Sequence, residues 1–217
     1  MKKTILFIAI CLAFINVKGQ GLRLGIHADP QITWLTSDTK KITSNGAAFG
    51  YNFGLNFDNY FAKNYAITSG ISLNTYKGGL NYQDSLSLTT KDDTYNFNNQ
   101  NSIDYEFQYV NIPLGIKLKT NQIGYFTYYA NVGFNSYINL NSKVSESTLN
   151  IEKETLEGEI RFFNLDYFFG LGLQYSLGSA AAINFGVNYA QGFVDIFIAE
   201  NNTAYTRNVN FTIGMVF

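Results

Sequence analysis

Ala47-Ala48-Phe49-Gly50-Tyr51-Asn52-Phe53-Gly54-Leu55-Asn56-Phe57-Asp58 alternates with period two. Phe49, Tyr51, Phe53, Leu55 and Phe57 share one parity, and Ala48, Gly50, Asn52, Gly54, Asn56 and Asp58 share the other. Successive side chains of a strand point to opposite faces, so this segment reads as a strand with one aromatic face and one small, polar face. In a soluble sandwich the aromatic face would turn to a core. In a membrane barrel it turns to lipid and the polar face lines the lumen.

The pattern recurs on both sides of that segment. Leu22, Leu24, Ile26 and Ala28 oppose Arg23, Gly25, His27 and Asp29. Tyr65, Ile67, Ser69, Ile71 and Leu73 oppose Ala66, Thr68, Gly70, Ser72 and Asn74, and Val110, Ile112, Leu114, Ile116 and Leu118 oppose Asn111, Pro113, Gly115 and Lys117. Further stripes start at Phe126, Phe163 and Ile183, and the last runs from about Tyr205 to Phe217. Each suits the roughly 9–11 residues a tilted strand needs to cross hydrocarbon, against roughly 5–6 for common soluble strands. The fold expected is all-β, a transmembrane up-and-down antiparallel β-barrel of about eight strands. A lumen that narrow is filled by side chains, so no open diffusion pore is expected.

Composition agrees. Charged residues make up 14% of the chain, below the roughly 25% of soluble domains, with 17% aromatics, 19 glycines and 2 prolines. The links between stripes alternate in length. Asn59–Asn64, Lys119–Gly124 and Leu177–Ala181 are short, whereas Leu35–Gly46, Lys77–Asp104, Asn141–Arg161 and Phe193–Ala204 are long. Outer-membrane barrels have short periplasmic turns and longer external loops, which puts both termini in the periplasm. The Asn/Asp/Tyr-rich stretch Asn81–Asp104 and the acidic stretch Ser145–Glu159 read as external loops whose ends prolong the strands.

Residues 1–19 read as a secretory signal peptide: Lys2 and Lys3, the apolar run Thr4–Ile15, and cleavage near Gly19. The run is too short for a spanning helix. Ile10 before Cys11 argues against lipidation. Cleavage leaves residues 20–217 as one outer-membrane β-barrel domain without cysteine, and with 12 basic against 16 acidic side chains, net −4. There is no basic field for nucleic acid.

Few residues invite chemistry. His27, the single histidine, faces the lumen beside Asp29, with Lys117 and Asp166 as further partners to consider. A Ser–His–acid hydrolase would need a serine placed by a motif, and none is present. The expectation is no catalytic residue, no cofactor-binding residue, no metal ligand set and no cofactor. Asp92, Asp93, Asn96, Asn98 and Asn99 supply oxygens, but their spacing does not match a calcium loop. Arg23, Arg207 and Lys117 read as interior or interfacial charges, and Trp34, Tyr65, Tyr125 and Tyr205 as an interfacial girdle. Pro113 cannot donate to the ladder, so a local bulge is expected there.

At Tyr109-Val-Asn-Ile-Pro-Leu-Gly-Ile-Lys117, Tyr189-Ala-Gln-Gly-Phe-Val-Asp-Ile196 and Gly214-Met-Val-Phe217 the chain resembles the PorT-like outer-membrane β-barrel family of Gram-negative bacteria. Asn111 stands where that family often has an acid. The favoured role is structural or binding, through the external loops; the resemblance itself implies a small outer-membrane barrel in contact with lipid. It also implies an alternative role as a component of a secretion or envelope-assembly complex. The terminal Phe217 resembles the signal read by the barrel-assembly machinery, a transient partner.

Overall fold

The period-two segments pair with their neighbours in chain order. The structure, a computed structural model, describes residues 21–97, 101–147, 149–178, 181–199 and 202–217, so the leader expected over 1–19 lies outside the described residues. β1 (Gly21–Thr36), β3 (Ala48–Ala62), β4 (Tyr65–Tyr82), β7 (Asn101–Lys119), β8 (Phe126–Glu146), β10 (Phe163–Ser176), β11 (Ala182–Gly192) and β12 (Tyr205–Val216) each run antiparallel to the next. β12 returns to β1, closing an eight-stranded barrel. Leu24 and Phe217 seal that seam by exchanging backbone hydrogen bonds of 3.2 and 2.7 Å. Closure gives each of these eight strands a neighbour on both sides, so the ring itself has no edge strand. The long links carry four short strands, β2 (Ile42–Ser44), β5 (Leu86–Thr89), β6 (Thr94–Phe97) and β9 (Ile151–Thr155).

Orientation follows the parity read from the sequence. Phe49 is 65% exposed and Asn52 6%, so the aromatic face is outside and the polar face inside. The outward apolar band includes Leu22, Phe53, Ile71, Leu114, Phe134, Phe169, Val187 and Ile213.

Filling so narrow a lumen brings aromatic rings against glycines. Tyr129 on β8 lies opposite Gly172 on β10, which lies opposite Gly186 on β11. A Cβ on Gly172 would overlap the Tyr129 ring, and one on Gly186 would meet its hydroxyl oxygen at 2.5 Å. Phe168 makes the same arrangement with Gly133 and Gly115, where an added Cβ on Gly115 would stand 2.9 Å from the ring. Tyr129 and Phe168 reach across the neighbouring wall where glycine offers no side chain in their way.

Three differences from the sequence reading have physical causes. First, Pro113 makes no bulge. Its register with Asn135 on β8 is regular, and on the β4 side pairing lapses between Ser69↔Leu114 and Ser72↔Asn111 without a shift. The Ser69 hydroxyl donates to the Pro113 carbonyl at 2.8 Å. Pro30 interrupts the β1–β12 ladder in the same way, between Ala28↔Ile213 and Gln31↔Asn210. A ladder can lose a donor without gaining a residue. Second, a bulge does occur across from Gln108 and Tyr109, where Leu140 on β8 is the extra residue. Third, β4, β7 and β8 run far past the apolar band, and in those extensions the polarity inverts. Ile103, Tyr105, Phe107 and Tyr109 point inward and are nearly inaccessible, while Asp104, Glu106 and Gln108 point outward.

Gly172→Val should drive Tyr129 out of its seat and leave most of the refolded protein without the heat-modifiable gel shift of a closed barrel. Gly21→Ala, where an added Cβ meets nothing within 4 Å, should refold like the parent.

Candidate functional site: the filled lumen and its cap

Inward parity gathers the lumen's polar side chains, and the register decides which of them meet. His27 and Asp29 are two apart on β1 and share its inner face. His27 Nδ1 lies 2.9 Å from Asp29 Oδ2, which also accepts from Asn52 Nδ2 at 2.7 Å. The two further partners considered for His27 bond to other residues. Lys117 donates to Asp58 Oδ2 at 2.7 Å, a pair almost wholly shielded from solvent. Asp166 accepts from Tyr76 and Thr206, each at 3.1 Å. Among the described residues no serine or threonine hydroxyl hydrogen-bonds the imidazole. Gly50 on β3 lets Gln31 reach over it to Asn74 on β4 at 2.8 Å, while Asn208 on β12 donates to Gln31 at 2.8 Å. The cavity left in this network, lined by His27, Asn111, Lys117 and Tyr129 among others, measures about 120 Å³. That is small beside the roughly 300–1,000 Å³ of ordinary ligand pockets.

Toward the long links the lumen turns from polar to aromatic. The rings of Tyr76, Tyr109 and Tyr137 pack against one another with centroids 5.4–6.2 Å apart. Beyond them Leu35, Leu80, Leu88, Ile103, Tyr105, Phe107, Ile196 and Phe197 form a hydrophobic core. Tyr82 and Tyr105 share a 2.9 Å hydroxyl contact there, and burial pushes both phenols well above their usual range. They remain neutral donors.

The links that cover this core are tied to one another. In the hairpin of β5 and β6, Thr90 and Tyr95 donate to the two oxygens of Glu154 on β9 at 2.8 and 2.9 Å. Lys91 N donates to Thr155 O, and Glu157 N to Thr89 O. Arg161 grips the last link through the Phe197 carbonyl at 2.9 Å. Asp195 Oδ1 accepts from the amides of Phe197 and Ala204 within that link. The result is a folded cap with a cleft of about 700 Å³ lined by Lys41, Tyr82, Asp84, Leu86, Glu159 and Asn202 among others.

The loop residues weighed for calcium that the structure describes are engaged in the hairpin. Asp93 closes the hairpin turn by accepting from Thr94 N at 2.7 Å, Asn96 pairs with Ser87, and Asn98 and Asn99 lie outside the described residues. Among the described residues no group of three acids or histidines could hold a metal ion. Tyr65 and Tyr125 stand exposed at the short-turn end of the band. Trp34 faces Arg207 on the outer wall at the other end, so Arg207 is interfacial, whereas Arg23 points into the short-turn mouth.

A closed eight-stranded barrel with an apolar outer wall, a polar filled lumen and elaborated links at one end defines a small outer-membrane protein. The chain belongs to the outer membrane protein beta-barrel domain family, whose description matches residues 19–198. Its fold is similar to that of Neisserial surface protein A, at TM-score 0.54 and 10% identity over 91% of this chain and 97% of that one. It is also similar to the outer membrane protein OprG from Pseudomonas aeruginosa, at TM-score 0.50 and 10% identity over 91% and 95%. No curated protein matches the sequence. At such identities the likeness is one of fold.

Lys117→Met should destabilise the barrel by about 3–5 kcal/mol in urea titrations, because Asp58 would be left buried and unpaired. Adding Asp58→Leu to Lys117→Met should recover most of that loss.

Proposed function

We propose that the protein is an integral outer-membrane barrel that works by binding through its cap, and neither conducts solutes nor catalyses a reaction. In this reading the strands cross the bilayer at the apolar band, the long links lie outside the cell and both termini lie in the periplasm. The cap is the observation that carries it. Links fixed to each other and to a buried aromatic core keep their shape, and a preformed surface loses little conformational freedom on binding. The cleft of about 700 Å³ falls within the usual range for ligand sites. Tyrosine rings across the lumen favour a closed interior, and the pairing of His27 with Asp29 and Asn52 favours a structural histidine. Phe217, exposed on the outer wall, suits presentation to the barrel-assembly machinery during insertion. A second reading, a PorT-like component of a secretion complex, rests on the motif Tyr109–Lys117 and predicts co-purification with large envelope proteins.

The leader read in the sequence holds the only cysteine, so single introduced cysteines report topology cleanly. A cysteine at Asp84 should react with an impermeant maleimide on intact cells, and one at Asn121 only after lysis. The opposite pattern would reverse the orientation. In planar bilayers the refolded chain should give no discrete conductance steps; regular steps would overturn the closed reading. Cells displaying the full chain should adhere to at least one surface of a glycan and matrix-protein array, and replacement of Leu86–Phe97 by a Gly-Ser link should remove that adhesion while sparing the gel shift. Adhesion that survives the replacement would count against the cap.

A further inference from the structure

The mouth at the short-turn end carries three cations, and the acid nearest to them, Asp58 opposite Arg23 in the β1–β3 register, is taken up by Lys117. Arg23 on β1, Lys63 in the β3–β4 turn and Lys119 at the end of β7 line one cavity of about 180 Å³. Among the described residues none of the three forms an ion pair, and no acidic side chain lines the cavity. Lys117, one inward position deeper, is already neutralised by Asp58. Lys119 Nζ rests 3.9 Å from the centroid of the Tyr60 ring, a contact that holds the ammonium at the mouth without cancelling its charge.

Gln174 on β10 is an independent sign of a ligand. It is 4% exposed and lines the same cavity, yet its buried Nε2 has no hydrogen-bond acceptor among the described residues. A buried donor without an acceptor is costly, and of the side-chain atoms left so here Gln174 Nε2 is the one whose residue lines this cavity. Here it faces a concentration of positive charge in a chain whose overall balance is acidic. A wall lined by cations and an orphan donor is complementary to an oxyanion.

We propose that this mouth binds a phosphate-type oxyanion, held by Arg23, Lys63 and Lys119 and by the Gln174 amide. Three cations overmatch a single carboxylate, whereas a tetrahedral dianion accepts from several directions at once. The space is below the roughly 300–1,000 Å³ of drug-sized sites, so it fits a phosphoryl group with a few waters and excludes a large ligand. That group could arrive on a soluble phosphate ester or on a phospholipid headgroup.

The test is calorimetric titration of the refolded full chain with inorganic phosphate, at low salt in maltoside micelles that contain no phosphate. One saturable site is expected, weakened about tenfold by Arg23→Gln, Lys119→Gln or Gln174→Leu and unchanged by Lys40→Gln at the opposite end. Lys63→Gln, in an exposed turn that the strands do not need, should weaken it too and keeps the test decisive if an interior variant fails to fold. Repeating the titration in phosphatidylglycerol nanodiscs separates the sources: loss of the phosphate signal points to the headgroup, persistence to a soluble ester, and both require the site. Absence of saturable binding in micelles, or equal affinity in Lys63→Gln, would overturn the proposal.

Discussion

Eight strands closed on themselves leave room inside for side chains and for little else, and most of the molecule's particular features follow from that narrowness. Tyr129 and Phe168 can enter the lumen only because Gly172 and Gly186, and Gly133 and Gly115, leave the neighbouring wall bare. Asp58 can be buried because Lys117 reaches it from two strands away. A wider barrel would hydrate such groups. Here each one needs a protein partner or a gap, so the lumen is as constrained as a soluble core although it is built from Asn, Gln, Ser, Asp and Lys.

On β7 strand direction and parity stay constant from one end to the other, while the surroundings they serve change. On β7, Ile112 to Leu118 place apolar groups outside. From Ile103 to Tyr109 the inward parity is apolar and the outward parity polar. The first arrangement suits hydrocarbon around the wall, and the second suits water around a hydrophobic core. The Leu140 bulge on β8 stands where the two regimes meet, and bulges locally increase twist and re-aim side chains. β4, β7 and β8 thus serve as barrel staves along one stretch and as walls of an ordinary apolar core along another.

This inversion marks the limit of what the sequence disclosed. Ala47–Asp58 reveals its orientation because one solvent regime covers all of it, and His27 with Asp29 is legible because residues two apart on a strand share a face. Ile103, Tyr105, Phe107 and Tyr109 have a period-two signal as clean as any other, but their parity is opposite to that of Ile112 and Leu114. Ile103 falls at the end of the Asn/Asp/Tyr-rich stretch Asn81–Asp104 that reads as an external loop, and Tyr105, Phe107 and Tyr109 fall between that loop and the stripe from Val110. A search for a phase reversal in the alternation would have found the core they build. The partners of Lys117 and Asp166 were beyond reach, because Asp58, Tyr76 and Thr206 lie on other strands and only the register brings them close. Pro113 misled for a simpler reason: a missing donor was equated with an added residue, and the Ser69 hydroxyl deals with the interruption instead.

Tyrosine joins the two interiors. Tyr76 packs its ring edge-to-face against Tyr109 and Tyr137 at the base of the aromatic core and turns its hydroxyl to Asp166 and Tyr137. A phenylalanine would fill the same volume but take the Tyr76 hydroxyl from Asp166, and a shorter polar residue would open the core. An aromatic body with a polar tip is the side chain that can border both regions at once. Because those hydroxyls are buried and hydrogen-bonded, displacing the cap from the barrel would expose both the apolar core and the carboxylate beneath it. The cap and the barrel are therefore one packed unit, and whatever meets the cap meets a surface whose shape the barrel sets.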